Sequence, residues 1–152
     1  MKKNKFAGYI NLKPLNGVIY PSSIQNILMK NYIENDLRGI FYLSPTEILQ
    51  AKYSITLKTL ISKETDVNGI VTLSSYYLPS DYTIRKNLFA KLIALKKNMH
   101  FILDGLKIYK KQDIEKVEDF LMFNCDYLNN TKKNLNKFEQ SFMKKFKNIS
   151  FV

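Results

Sequence analysis

A chain of 152 residues with 45% hydrophobic and 13% aromatic side chains can bury one sizeable core and is too apolar to be disordered. No apolar run reaches the ~18 to 20 residues of a membrane-spanning helix, and the basic start leads into a short strand rather than a signal sequence, so a cytoplasmic protein is expected. The net charge of +11 is almost all lysine, with Arg38 and Arg85 the only arginines; base and phosphate reading favours the planar guanidinium, so the lysines read as a solvated surface and specific nucleic-acid binding is not expected.

Lys5 to Asn11 reads as a first strand, followed by a turn at Asn16-Gly17. A helix starts at Ser22, where Ser22 and Gln25 have the spacing of a capping box. Ile24, Ile27, Leu28, Tyr32 and Ile33 give it one apolar face. Leu37 to Leu43 is the second strand. Ser44-Pro45-Thr46-Glu47 then has the order of a helix start, with Ser at the cap, Pro first and Glu third. The stripe Ile48, Leu49, Tyr53, Leu57, Leu60, Ile61 carries that helix to about residue 63, with a break near Lys52. Ile70 to Leu73 is the third strand, a helix follows from Asp81 to Lys97, and Met99 to Leu103 and Leu106 to Ile108 are the fourth and fifth strands. Asp113 caps a further helix running past Leu121. Strands alternating with helices over short connections imply a three-layer α/β sandwich around a mainly parallel sheet of four to five strands.

The last stretch differs in character. Leu135, Phe138, Phe142, Phe146 and Ile149 form an apolar stripe on a lysine-rich helix. The organisation expected is therefore an α/β domain over 1–124 with a basic amphipathic extension over 125–152. That extension either packs on its own domain, pairs with a second copy in a homo-oligomer, or touches an anionic membrane surface.

Chemistry is sparsely supplied. Cys125 and His100 are each the only residue of their type, which removes an internal disulfide, a zinc cluster and a Cys-His pair; no metal or cofactor is expected. Cys125 reads as a structural thiol and His100, in an apolar strand, as a packed core histidine. No glycine-rich dinucleotide fingerprint, phosphate-binding loop or nucleophile elbow is present. In open α/β sheets ligands bind beyond the carboxyl ends of the strands. Those ends carry Asn11, Lys13 and Asn16; Ser44, Thr46 and Glu47; Ser74, Ser75 and Tyr77; and Asp104. This polar set suits a hydroxyl-rich or phosphorylated ligand, with Glu47 or Asp104 the candidate acid/base and Lys13 the anion partner.

Two resemblances follow. Gly8-Tyr9-Ile10, Asn68-Gly69-Ile70-Val71 and Met99-His100-Phe101 stand in the order of strands in the catalytic domain of serine recombinases (resolvases and invertases), which implies a resolvase-like, flavodoxin-like fold. That family needs a serine nucleophile and an arginine after the first strand, where this chain has Asn11 and Lys13. It needs further arginines after the third, where Ser75-Tyr76-Tyr77-Leu78 stand. An active recombinase is excluded. A second likeness covers most of residues 8 to 119: Gly8-Tyr9-Ile10 with Pro14 and Asn16-Gly17, Pro21 with Gln25-Asn26, Leu43-Ser44 with Thr46-Glu47, Gly69-Ile70 with Leu78-Pro79, His100-Phe101 with Leu106-Lys107-Ile108, and Asp113-Ile114 with Glu118-Asp119. In these it resembles the sporadic carbohydrate cluster proteins, small bacterial proteins encoded among genes for surface polysaccharide and unusual-sugar synthesis. The resemblance implies that pathway as a setting and no particular reaction; with the strand-end residues, the expected ligand is a sugar, sugar phosphate or nucleotide sugar, bound or modified there. The alternatives are a non-catalytic dimeric or membrane-surface adaptor, and a recombinase-like protein that retains nucleic-acid binding.

Overall fold

The computed structural model describes residues 3–48 and 54–124. The stripe of the C-terminal extension and Cys125 lie outside the described residues, as do Leu49, Lys52 and Tyr53. The chain divides into a first unit, Met1–Val117, and a second, Glu118–Val152; the sheet belongs to the first.

Five strands form one sheet: β1 Lys5–Gly8, β2 Ile40–Leu43, β3 Gly69–Thr72, β4 Asn98–Phe101 and β5 Leu106–Ile108. Their spatial order is β2-β1-β3-β4-β5. The first four run parallel and β5 returns antiparallel to β4. The mainly parallel α/β sheet expected from the alternation is thus observed. Helices α1 Ser22–Asn31, α2 Ile55–Leu60 and α3 Tyr82–Ala94 make the crossovers, and a fourth, α4, starts at 111 and continues to 124. Because β2 and β3 flank β1 on opposite sides, right-handed crossovers put α1 on one face and α2 and α3 on the other. Both faces of the centre are covered, which is why all four residues of β3 are buried. Gly8 allows α1 its close approach: a Cβ there would stand 2.8 Å from both the Met29 Cε and the Ser44 Cβ.

His100 is the packed core histidine that its strand implied, with no exposed surface. Its Nε2 lies 3.1 Å from the Asn98 Oδ1, an atom that only accepts, so Nε2 carries the hydrogen. Nδ1 accepts from the Tyr32 hydroxyl at 3.1 Å. Burial, and after it the Lys107 charge, pushes the imidazole down to about 4.

Three local expectations are corrected. The Ser22–Gln25 capping box does not form: α1 has no side-chain cap, and the Gln25 side chain turns inward. That rotates the helix. Gln25, Met29 and Ile33 are buried, while Ile24 and Ile27 are 43% and 63% exposed. The second correction is at Ser44–Glu47, which stays extended. Thr46 bridges Ile10 as a short parallel continuation of the sheet, so the helix begins only at Ile55 and Ile48 is exposed. The third is Asp113, which serves α4 from inside its first turn, accepting from the amides of Tyr109 and Lys110 at 3.0 and 3.1 Å. Asp81, by contrast, caps α3 as its position implied, through the Ile84 amide at 2.9 Å. That helix closes earlier than Lys97, with Lys96 at φ +53° and the amides of Lys96 and Lys97 returning to Ile93 and Leu92, the Schellman arrangement.

Lys97 then does something that no local pattern shows. The residue is 7% exposed, and its ammonium donates to the carbonyls of Leu60, Ser62 and Thr65 at 3.1, 2.7 and 2.8 Å. It therefore closes the carbonyl end of α2 and the loop behind it.

Candidate ligand-binding cleft

The strand order reverses direction at β1: the chain leaves it for β2 on one side and comes back to β3 on the other. The loops after β1 and β3 diverge, and a crevice opens beyond their carboxyl ends. A cleft of about 420 Å³ lies there. Its polar lining is Asn11 and Lys13 from the loop after β1, Glu47 and Ser54 from the β2–α2 connection, and Tyr77 and Ser80 from the β3–α3 connection. Leu12, Pro14, Ile48, Leu78 and Pro79 supply an apolar wall.

Glu47 reaches the cleft because the segment after β2 continues alongside β1. The Ile10 amide donates to the Pro45 carbonyl at 3.1 Å and the Glu47 amide to the Ile10 carbonyl at 2.8 Å. Glu47 is 7% exposed. One oxygen accepts from the Tyr9 hydroxyl at 2.9 Å and the Leu57 amide at 3.3 Å. The other accepts from the amides of Ile48 and Thr56 at 3.1 and 3.2 Å. Four donors fill the roughly four acceptor positions of a carboxylate. Two of them are first-turn amides of α2, which have no partner inside the helix.

From Glu47 a hydrogen-bonded chain crosses the floor of the cleft. Tyr9 is fully buried; burial first, and the Glu47 charge second, push its phenol far up, so it stays protonated and donates. The Asn11 side-chain amide donates to the Tyr9 oxygen at 3.2 Å and to the Tyr77 carbonyl at 3.5 Å. The Asn11 Oδ1 accepts from the Lys13 amide at 2.9 Å. Gln25 holds the backbone of Asn11 from behind, donating to its carbonyl at 2.8 Å and accepting from its amide at 3.3 Å. A third Gln25 bond goes from its side-chain amide to the Tyr20 carbonyl at 2.7 Å. The exposed Lys13 ammonium donates to the Tyr76 carbonyl at 3.2 Å. Tyr77 is buried in the wall, its phenol pushed up to about 12 by burial and by neighbouring Tyr20. Its hydroxyl has no hydrogen-bond partner among the described residues.

Of the strand-end residues expected from sequence, Asn11, Lys13, Glu47 and Tyr77 come together here, and the others do not. Asn16, at φ +50°, and Gly17 form an exposed hairpin tip between Leu15 and Val18. The Ser44 hydroxyl donates to the Asn26 side chain on α1. Thr46 is exposed, with its carbonyl accepting from the Thr56 hydroxyl at 3.3 Å. Asp104 forms a separate cluster at the ends of β3 and β4: it accepts from the Ser74 hydroxyl at 2.9 Å and from the Ser75 amide. The Ser75 hydroxyl is buried without a partner among the described residues. No group of three or more His, Cys, Asp or Glu that could hold a metal ion occurs among the described residues, and no helix there is long and apolar enough to cross a membrane.

Sequence reasoning missed Tyr9, Gln25, Ser54 and Ser80. Only Gln25 left a trace: its polar amide one turn before Met29 and two before Ile33 marks the helix face that the buried residues in fact share.

No protein-family model matches the chain, and no curated protein matches it. Among solved structures the chain is similar to the N-terminal catalytic domain of TP901-1 integrase, with a TM-score of 0.56 and 10% sequence identity, over 87% of this chain and 98% of that one. At that identity the likeness speaks for the fold alone. The fold of this protein is a resolvase-like α/β sandwich.

Proposed function

We propose that this protein binds a small hydroxyl-rich ligand (a sugar, sugar phosphate or nucleotide sugar) in the cleft beyond β1 and β3, and that it serves bacterial surface-carbohydrate synthesis. The observation that carries this reading is the mixed lining of the cleft, with Asn11, Lys13, Ser54 and Ser80 facing an apolar wall of Leu12, Pro14, Ile48, Leu78 and Pro79. A sugar offers the matching combination of hydroxyls and C–H faces. The pathway rests on the resemblance over residues 8 to 119.

Glu47 enters this reading as support and not as an acid or base, because its acceptor positions are already filled. Asp104 stands outside the cleft. The protein is thus read as a binder, and none of its residues is assigned a bond-making step.

The test is a thermal-shift panel at moderate salt with glucose, glucose 1-phosphate, UDP-glucose and a short DNA duplex. A ligand at about 100 times its Kd stabilises a fold by roughly 2.7 kcal/mol, which raises the midpoint by several degrees. A shift with one of the sugar probes and none with DNA is the expected result. No shift with any sugar probe, or a shift with DNA alone, would overturn the proposal.

A further inference from the structure

Lys13 is the only cation among the described residues that line the cleft, and its setting differs from that of an ordinary surface lysine. Pro14 follows it, which narrows the backbone conformations open to Lys13. Its amide is held by the Asn11 side chain at 2.9 Å. Asn11 is pinned in turn by Gln25 through both backbone groups and by Tyr9 through the side chain. The root of the lysine is therefore fixed while its tip is exposed, and the tip gives one of its three ammonium hydrogens to the Tyr76 carbonyl. The acid of the cleft has the opposite arrangement: Glu47 is buried and its lone pairs face amides and a phenol. A ligand entering the cleft meets the lysine charge directly and meets the carboxylate only across its own donors.

We propose that Lys13 is the anion-reading residue of the cleft, selecting a phosphorylated over an uncharged sugar, and that Glu47, Tyr9 and Asn11 are positioning residues that act through it. This rests on the reading of the cleft as the ligand site. It goes further by fixing which end of the ligand is read and by giving the buried chain from Glu47 to Asn11 a purpose besides stability. A phosphoryl oxygen accepting from a lysine ammonium is a charge-assisted bond, and a lysine with a fixed root loses less freedom in making it.

The experiment measures affinities for glucose 1-phosphate, glucose, UDP-glucose and inorganic phosphate by titration calorimetry, in the full chain and two variants. Lys13→Ala should cut the preference for glucose 1-phosphate over glucose by roughly ten- to a hundredfold, weakening the phosphorylated sugar far more than glucose. Inorganic phosphate should compete in the parent protein but not in this variant. Tyr9→Phe keeps the ring and removes the hydroxyl between Asn11 and Glu47; it should lower the same preference several-fold with little change for glucose. Equal losses for both sugars in Tyr9→Phe would overturn the positioning role, since damage to structure alone does not discriminate between them. An unchanged preference in Lys13→Ala, or a parent protein that binds glucose as tightly as glucose 1-phosphate, overturns the assignment of Lys13 and leaves the cleft standing as a sugar site. A parent protein that binds neither sugar nor UDP-glucose overturns the cleft reading itself, and this inference with it.

Discussion

Glu47 and Asp104 occupy equivalent stations on the two halves of the sheet, each just past the carboxyl end of a strand and each accepting from a hydroxyl and from the backbone, Glu47 from three amides and Asp104 from one. Glu47 lines the cleft beyond β1 and β3, and Asp104 stands outside it. The difference does not lie in the kind of residue, since an acid bonded to a hydroxyl and to backbone N–H describes both. It lies in the strand order. Around β1 the chain turns back on itself and the neighbouring loops separate; from β3 to β4 to β5 it proceeds in one direction, and Asp104 there ties the start of one loop to the next through Ser74 and Ser75. Chemistry at the rim of a sheet becomes a site where topology leaves room for a ligand.

Paired substitutions press hardest on this contrast. Glu47→Ala strands three amides and the Tyr9 hydroxyl in a buried place and should cost about 3 kcal/mol or more, whereas Asp104→Asn keeps an acceptor at a partly exposed position and should cost about 1 kcal/mol. Urea midpoints at constant m would show the two effects, and equal losses would erase the distinction drawn here.

Acid separates the halves in another way. His100, on β4, is held near 4 when folded and titrates near 6.5 when unfolded. Below pH 6.5 the unfolded chain therefore binds the extra proton, so this contribution is complete above 6.5 and is lost as pH falls towards 4. It amounts to about 3 kcal/mol over that window. His100→Gln should flatten the stability profile between pH 4 and 6.5; the same slope in variant and parent would remove His100 as its source.

The sheet was legible in the sequence because parallel strands between helices leave apolar runs separated by turn residues, and residues 69–73 and 98–108 show that pattern plainly. The cleft was half legible. Asn11, Lys13, Glu47 and Tyr77 follow from the rule that strand ends carry function, but the same rule also returned Ser74, Ser75 and Asp104, which form a separate cluster outside the cleft. Nothing in Ser44-Pro45-Thr46-Glu47 distinguishes a helix start from an extended segment. The decision is made by Ile10, which takes Thr46 as a strand partner. Tyr9 and Gln25 were read as strand and cap residues because their partners, Glu47 and Asn11, lie 38 and 14 positions away, and a local window does not contain them.

The short helix α2 shows what that distance means in time. Six residues are too few to hold a helix on their own. Its amide end is closed by Glu47 and its carbonyl end by Lys97, 37 positions from Leu60. Neither ion is in place until β2 has paired with β1 and β4 with β3. It follows that α2 is among the last parts of the chain to become ordered, and that changes confined to it fall on the rate of unfolding rather than on the rate of folding.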